Sequence, residues 1–216
     1  MTGIARRLDY TRRAMPQHPD HEHDNEHETD HDSERDGGDD AAIEREARRL
    51  IALSRIRQYG DPVLRMKARE VEAFDDDLRR LAERMTELMH EAQGVGLAAT
   101  QVGVVRRLFV FTDEGEDRVL VNPVITKRSD EVEGDEEGCL SLRDVLVPVE
   151  RATAVTIEGR DLGGERVELE LGLPQARVVQ HELDHLDGVL IIDRTDAESR
   201  RAALAKLRPQ PVLGAR

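Results

Sequence analysis

Between Asp76 and Ala92, apolar residues recur at Leu78, Leu81, Met85, Leu88, Met89 and Ala92, three or four apart. That spacing sets them along one side of a helix and leaves the charged residues on the other. Asp75 stands where an N-cap belongs, and Gly94 marks the stop. Upstream, residues 41–54 favour helix by propensity until Gly60-Asp61-Pro62 interrupts. Downstream the period changes. Short β-branched runs at Arg107–Thr112, Val119–Val121, Val145–Val149, Ala154–Glu158 and Val167–Leu171 predict strands. Glu114-Gly115 and Gly163-Gly164 divide them, the second pair reading as a hairpin turn. Pro174 opens a further helix that ends near Asp187, ahead of Gly188, and Ala197–Leu207 is a last amphipathic stretch. Strands in runs, with helices before and after, predict an α+β fold and not a wound parallel sheet.

Composition changes this picture mainly at the N-terminus. The net charge of −14 is concentrated there: residues 17–40 hold eleven Asp or Glu against one Arg. Five of the eight histidines (His18, His21, His23, His27 and His31) lie in the same tract. Such a segment has too little apolar surface to order itself, and its acidity argues against nucleic acid as its partner. His21-x-His23 between carboxylates also suits weak collection of divalent ions. The rest, with 38% apolar residues over the whole chain and few aromatics, supports one sizeable aliphatic core. A single cysteine, Cys139, excludes an intramolecular disulfide and fits a reducing compartment. No apolar run approaches the ~20 residues that span a bilayer. The expected location is the cytoplasm.

The chemistry is concentrated in His181-Glu182-Leu183-Asp184-His185. Two histidines four apart on a helix share a face, so both imidazoles can meet one metal ion. Glu182, between them, is placed to handle the proton of an attacking water. A third protease-type histidine is missing, because Ile191 occupies that position, and Glu198 has no motif around it. The third ligand is therefore sought upstream. Cys139, 42 residues before His181 in Glu137-Gly138-Cys139-Leu140-Ser141, is the best donor. One thiolate and two imidazoles leave a fourth position open, as catalytic sites do. His90, alone on its helix, reads as structural or solvent-exposed.

Farther upstream runs Gly94-Val95-Gly96-Leu97-Ala98-Ala99-Thr100-Gln101. Together with the Cys139 and His181 motifs, and in this order, it resembles the peptide deformylase family. The resemblance extends from about Ile56 to the Arg194 region and includes Gly60-Asp61-Pro62-Val63-Leu64. It implies a hydrolase that removes the formyl group from nascent formyl-methionyl polypeptides, acting at the ribosome. It also implies Fe²⁺ as the working metal, with Zn²⁺, Ni²⁺ or Co²⁺ able to occupy the same ligands. Carried onto matching positions, Cys139, His181 and His185 hold the metal and Glu182 is the general base. The Gln101 side-chain amide and the Leu140 backbone N–H then stabilise the oxyanion. Gly94, Gly96, Leu97 and Val178 are expected to shape the peptide groove, and Asp184 to pair with Arg151. Leu142-Arg143-Asp144 replaces the Pro-containing turn that many relatives carry after Cys139-Leu140-Ser141.

The domain reading is a disordered acidic tail over 1–45, a catalytic domain over 46–207 and a flexible end over 208–216. The domain is a single unit of antiparallel strands around a central metal-binding helix. No membrane and no sequence-specific nucleic acid enters as a partner. Two other readings stay open on the residues: a metal-dependent endopeptidase using the same glutamate, and a metal-buffering protein on a degenerate version of this fold.

Overall fold

A computed structural model describes residues 36–208. The histidine-rich tract up to Arg35 and the last eight residues lie outside the described residues, and with them most of the expected tail. Helix α1 (Asp36–Arg55) is followed by α2 (Asp76–Glu91). Seven strands come next: β1 (Gly96–Ala98), β2 (Leu108–Asp113), β3 (Glu116–Arg128), β4 (Val132–Cys139), β5 (Leu142–Ala152), β6 (Ala154–Arg160) and β7 (Arg166–Gly172). Helices α3 (Gln175–Leu186) and α4 (Ala197–Lys206) complete the order. The strands form a five-stranded sheet, β1-β2-β3-β6-β7, and a two-stranded β4-β5 ribbon. Every ladder is antiparallel, as the α+β reading expects.

Helix α1 starts at Asp36, earlier than its propensity suggested, so residues 36–45 are helical where a tail was expected. Pairs such as Arg48–Glu44 extend the helix without burying anything, and the first core residues are Ala52, Leu53 and Ile56. Helix α2 agrees closely with its pattern. Asp75 caps it by accepting from Leu78 N–H at 3.0 Å, and Leu78, Leu81, Met85, Leu88 and Met89 are buried. Its stop differs: Gln93, not Gly94, takes the positive φ of 58°.

Two strands exceed or escape the sequence reading. β3 runs for 13 residues because Asn122 and Pro123, which resemble a turn, form a bulge inside it. Asn122, at φ 52°, accepts from Val71 N–H at 2.8 Å and donates to Val71 C=O at 2.9 Å, which replaces the lost ladder bonds. β4 is acidic and mostly exposed, so it shows no apolar alternation; it exists because β5 pairs with it along its whole length. The hairpin expected at Gly163-Gly164 joins β6 and β7, and the turn at Glu114-Gly115 closes a second one between β2 and β3, with both of its residues at positive φ, as a two-residue turn of this type requires.

Helix α3 is the centre of the molecule, packed against β1, β2, β5 and β7. Its residues Glu182, Leu183, Asp184, His185 and Leu186 are all buried. Gly188 ends it at φ 74°, where a Cβ would lie 2.6 Å from the Arg65 carbonyl oxygen, so only glycine fits. Among the described residues, no helix is long and apolar enough to cross a membrane.

Candidate active site

Three elements converge on one cluster. β4 ends at Cys139, α3 presents His181, Glu182 and His185, and a 3-10 turn over Ala99–Val102 carries Gln101. The ligand atoms of Cys139, His181 and His185 lie within 4.8 Å of one another, and Cys139 Sγ stands 3.2 Å from His185 Nε2. A soft thiolate and two imidazoles at that spacing suit a divalent transition metal. The orientation of His181 fits as well. Its Nδ1 contacts Glu137 Oε2 at 3.0 Å, which leaves Nε2 free for an ion.

Glu137 belongs to a buried charge network. Arg151 donates to both of its oxygens at 2.9 and 3.0 Å, and Arg177 donates to Oε1 at 3.0 Å. Arg151 also reaches Asp184 Oδ2 at 2.5 Å, and Arg194 grips the same carboxylate with Nε at 3.0 Å and Nη2 at 2.5 Å. The expected Arg151–Asp184 pair is therefore present, as one link of a longer chain. Burial alone would raise the Glu137 pKa, but bonds from His181 and Arg151 and their charges outweigh it and hold it at about 2. For His181, burial opposes protonation, yet its bonds to Cys139 and Glu137 raise it well above the ordinary imidazole range. Burial, with the His181 charge, depresses His185.

Glu182 is the exception in this network. It is 4% exposed, its Oε2 has no hydrogen-bond partner, and it borders a cavity of about 570 Å³. Burial pushes its pKa up to about 7, in spite of the nearby His181 and Arg151 charges. A carboxylate in that range both accepts and returns a proton near neutral pH. Gln101 is held firmly: its Oε1 accepts from Ala98 N–H at 2.8 Å, and its Nε2 donates to Ser141 Oγ at 3.2 Å. The amide nitrogen also lies 3.8 Å from Cys139 Sγ, so it faces the cluster. Next to Cys139, Leu140 has its carbonyl fixed by Gln58 at 3.1 Å.

The polypeptide deformylase family model matches residues 53–201, the stretch that holds all of these residues. The chain belongs to that family. A peptide deformylase of Thermotoga maritima is 46% identical over 153 residues, which are 71% of this chain and 93% of the relative. One from Acidothermus cellulolyticus is 47% identical over 158 residues, 73% and 87% of the two chains. The crystal structure of the Thermotoga maritima peptide deformylase aligns with a TM-score of 0.65 at 47% identity, over 66% of this chain and 97% of that one. The protein is thus an enzyme, a metal-dependent peptide deformylase that removes the N-formyl group from the formyl-methionine of nascent polypeptides.

The peptide deformylase cavity is bordered by Gly94, Gly96, Gln101, Leu140 and Val178, together with Cys139, His181 and Glu182. Leu97 is different. It is fully buried in the core with α2 residues and does not line the cavity, because alternation along β1 turns it to the opposite side from Gly96 and Ala98. His90 sits on the surface with Asp117 at 2.8 Å, far in role from the metal cluster. Glu137 and Arg177 had no assigned role from sequence. The available signal was the position of Glu137 two residues before Cys139, on the same side of a strand.

Proposed function

We propose that Cys139, His181 and His185 hold Fe²⁺, that Glu182 is the general base, and that Gln101 Nε2 and the Leu140 N–H receive the oxyanion. When bound, the ion supplies Lewis acidity toward water and the formyl oxygen. Glu182 takes a proton from the attacking water and then delivers it to the departing amine, so formate leaves and a free methionyl N-terminus remains. The amide of Gln101, fixed at its oxygen end by Ala98, meets the developing negative charge without reorganising. Gly94, Gly96 and Val178 line the peptide groove, and the backbone of edge strand β1 suits an extended peptide. The catalytic unit spans 46–207 and works in the cytoplasm on chains leaving the ribosome, and Zn²⁺, Ni²⁺ or Co²⁺ can replace iron at the same ligands.

What carries this reading is the Glu182 carboxylate, buried with its Oε2 unpartnered beside three convergent candidate ligands and with a pKa of about 7. The test is hydrolysis of a formyl-methionyl peptide by anaerobically iron-loaded enzyme and by its Glu182→Ala variant. The variant should retain one metal per chain and lose 10²–10⁴-fold in rate, the usual contribution of a general base, as an order of magnitude. A variant keeping more than about a tenth of wild-type activity would remove Glu182 from that role.

A further inference from the structure

We propose that Gly96 is a positioning residue for Glu182: its missing side chain is the room in which the catalytic carboxylate stands. A Cβ built on Gly96 would lie 2.9 Å from Glu182 Cδ and 3.0 Å from Cγ, with Oε1 closer still. Real Cβ atoms do not approach that near, so an alanine here must displace the carboxylate or the strand. Backbone conformation does not account for the glycine. Gly96 lies in an extended strand, outside the left-handed range that Gly60, Gly103, Gly115, Gly164 and Gly188 adopt.

Neither side of the contact can retreat easily. Gly96 is paired with Phe111 of β2, and the far end of β1 is tied through Ala98 N–H to Gln101. Ala98, on the same side of β1 as Gly96, packs in the core cluster that contains Val179 and Leu186 of α3. On the other side, α3 is anchored by Asp184 to Arg151 and Arg194. Glu182 is itself almost fully buried. The neighbouring Gly94 differs in kind, since a Cβ there would meet the terminal Cδ1 of Leu140 at 2.8 Å, the end of a side chain that can rotate. β1 thus sets where the carboxylate stands relative to Gln101, which hangs from the same strand.

This inference rests on Glu182 being the general base, and it competes with the simpler view that Gly96 only lets the peptide approach. The test is a double-mutant cycle of Gly96→Ala and Glu182→Ala on the metal-loaded enzyme, read in thermal midpoint, with kinetics of the Gly96→Ala variant beside it. Gly96→Ala alone should lower the midpoint. In the Glu182→Ala background the same substitution should cost much less, because the clashing atoms are gone. If Gly96→Ala does not accumulate as folded protein, the double variant should. In kinetics, Gly96→Ala should lower kcat about tenfold or more, at unchanged metal content and with KM within about threefold, since alanine keeps both backbone groups. Equal cost of Gly96→Ala in both backgrounds, or no folded double variant, overturns the proposal. So does a raised KM with kcat intact, which is the mark of lost peptide approach. Should Glu182→Ala prove active, the general-base reading falls by itself, while the thermal cycle still decides whether Gly96 makes room for Glu182.

Discussion

Replacing Arg151 by methionine removes the charge that joins the two buried carboxylates, Glu137 and Asp184, while keeping most of the apolar stem. Arg151 and Glu137 are each 5% exposed, so little solvent screens the loss. Breaking a buried pair by removing one partner costs about 3–5 kcal/mol. The Glu137 carboxyl gives an independent figure. Held at about 2 instead of its ordinary 4.5, it carries roughly 3 kcal/mol of differential interaction, shared between His181 and Arg151. Arg177 still serves Glu137 and Arg194 still serves Asp184, so the lower end is expected, about 3 kcal/mol. A depressed carboxylate stabilises the fold above its unfolded pKa and loses that contribution as pH falls through the folded one. The deficit of Arg151→Met should therefore be complete at neutral pH and shrink between pH 4.5 and about 2. In urea unfolding at matched metal occupancy, with a slope of about 2 kcal/mol/M, the midpoint should fall by ~1.5 M at pH 7. His181 should also lose its fixed orientation, weakening metal binding by about 10–100-fold. A midpoint change under about 0.3 M, or one equally large at pH 3, would refute the claim that this network holds the site.

Cys139→Ser should weaken metal binding and activity together, because a hydroxyl is a poor substitute for a soft thiolate; unchanged cobalt absorption in the variant would take the cysteine out of the coordination shell. Gln101→Ala should lower kcat by about 10²–10³ with little effect on metal content, and a loss confined to KM would deny it the oxyanion. Burial sets Glu182 near 7 and a bound cation pulls it down, so kcat/KM should fall on the acid side between about pH 4.5 and 7. A profile flat to pH 4.5 with metal retained would remove a titrating base from the rate.

How far the sequence reached differs from element to element. Helices α2 and α3 and the β6–β7 hairpin were readable because their causes are local: an apolar stripe, a capping Asp75, a glycine turn. Two of the candidate metal ligands were readable for a similar reason, since the four-residue spacing of His181 and His185 already commits them to one helix face. β4 was not, because its exposed acidic residues become a strand only through pairing with β5. Leu97 was given to the groove because it directly follows Gly94 and Gly96 in the same motif, and pleating turned it into the core instead.

The amino-acid order alone therefore pointed to the fold class and set out three ordered motifs, around Gln101, Cys139 and His181, whose resemblance to a known family implied the reaction. Tertiary structure decided the environment of those residues. Glu137 holds His181 across 44 residues of chain, Gln101 reaches Ser141 across 40, and Gly96 faces Glu182 from a separate strand. The burial that lifts Glu182 to about 7 likewise exists only once sheet, ribbon and central helix exclude water together. Spacing along a chain specifies which groups share a face; only packing specifies what lies opposite that face, and so the dielectric and charges that tune them.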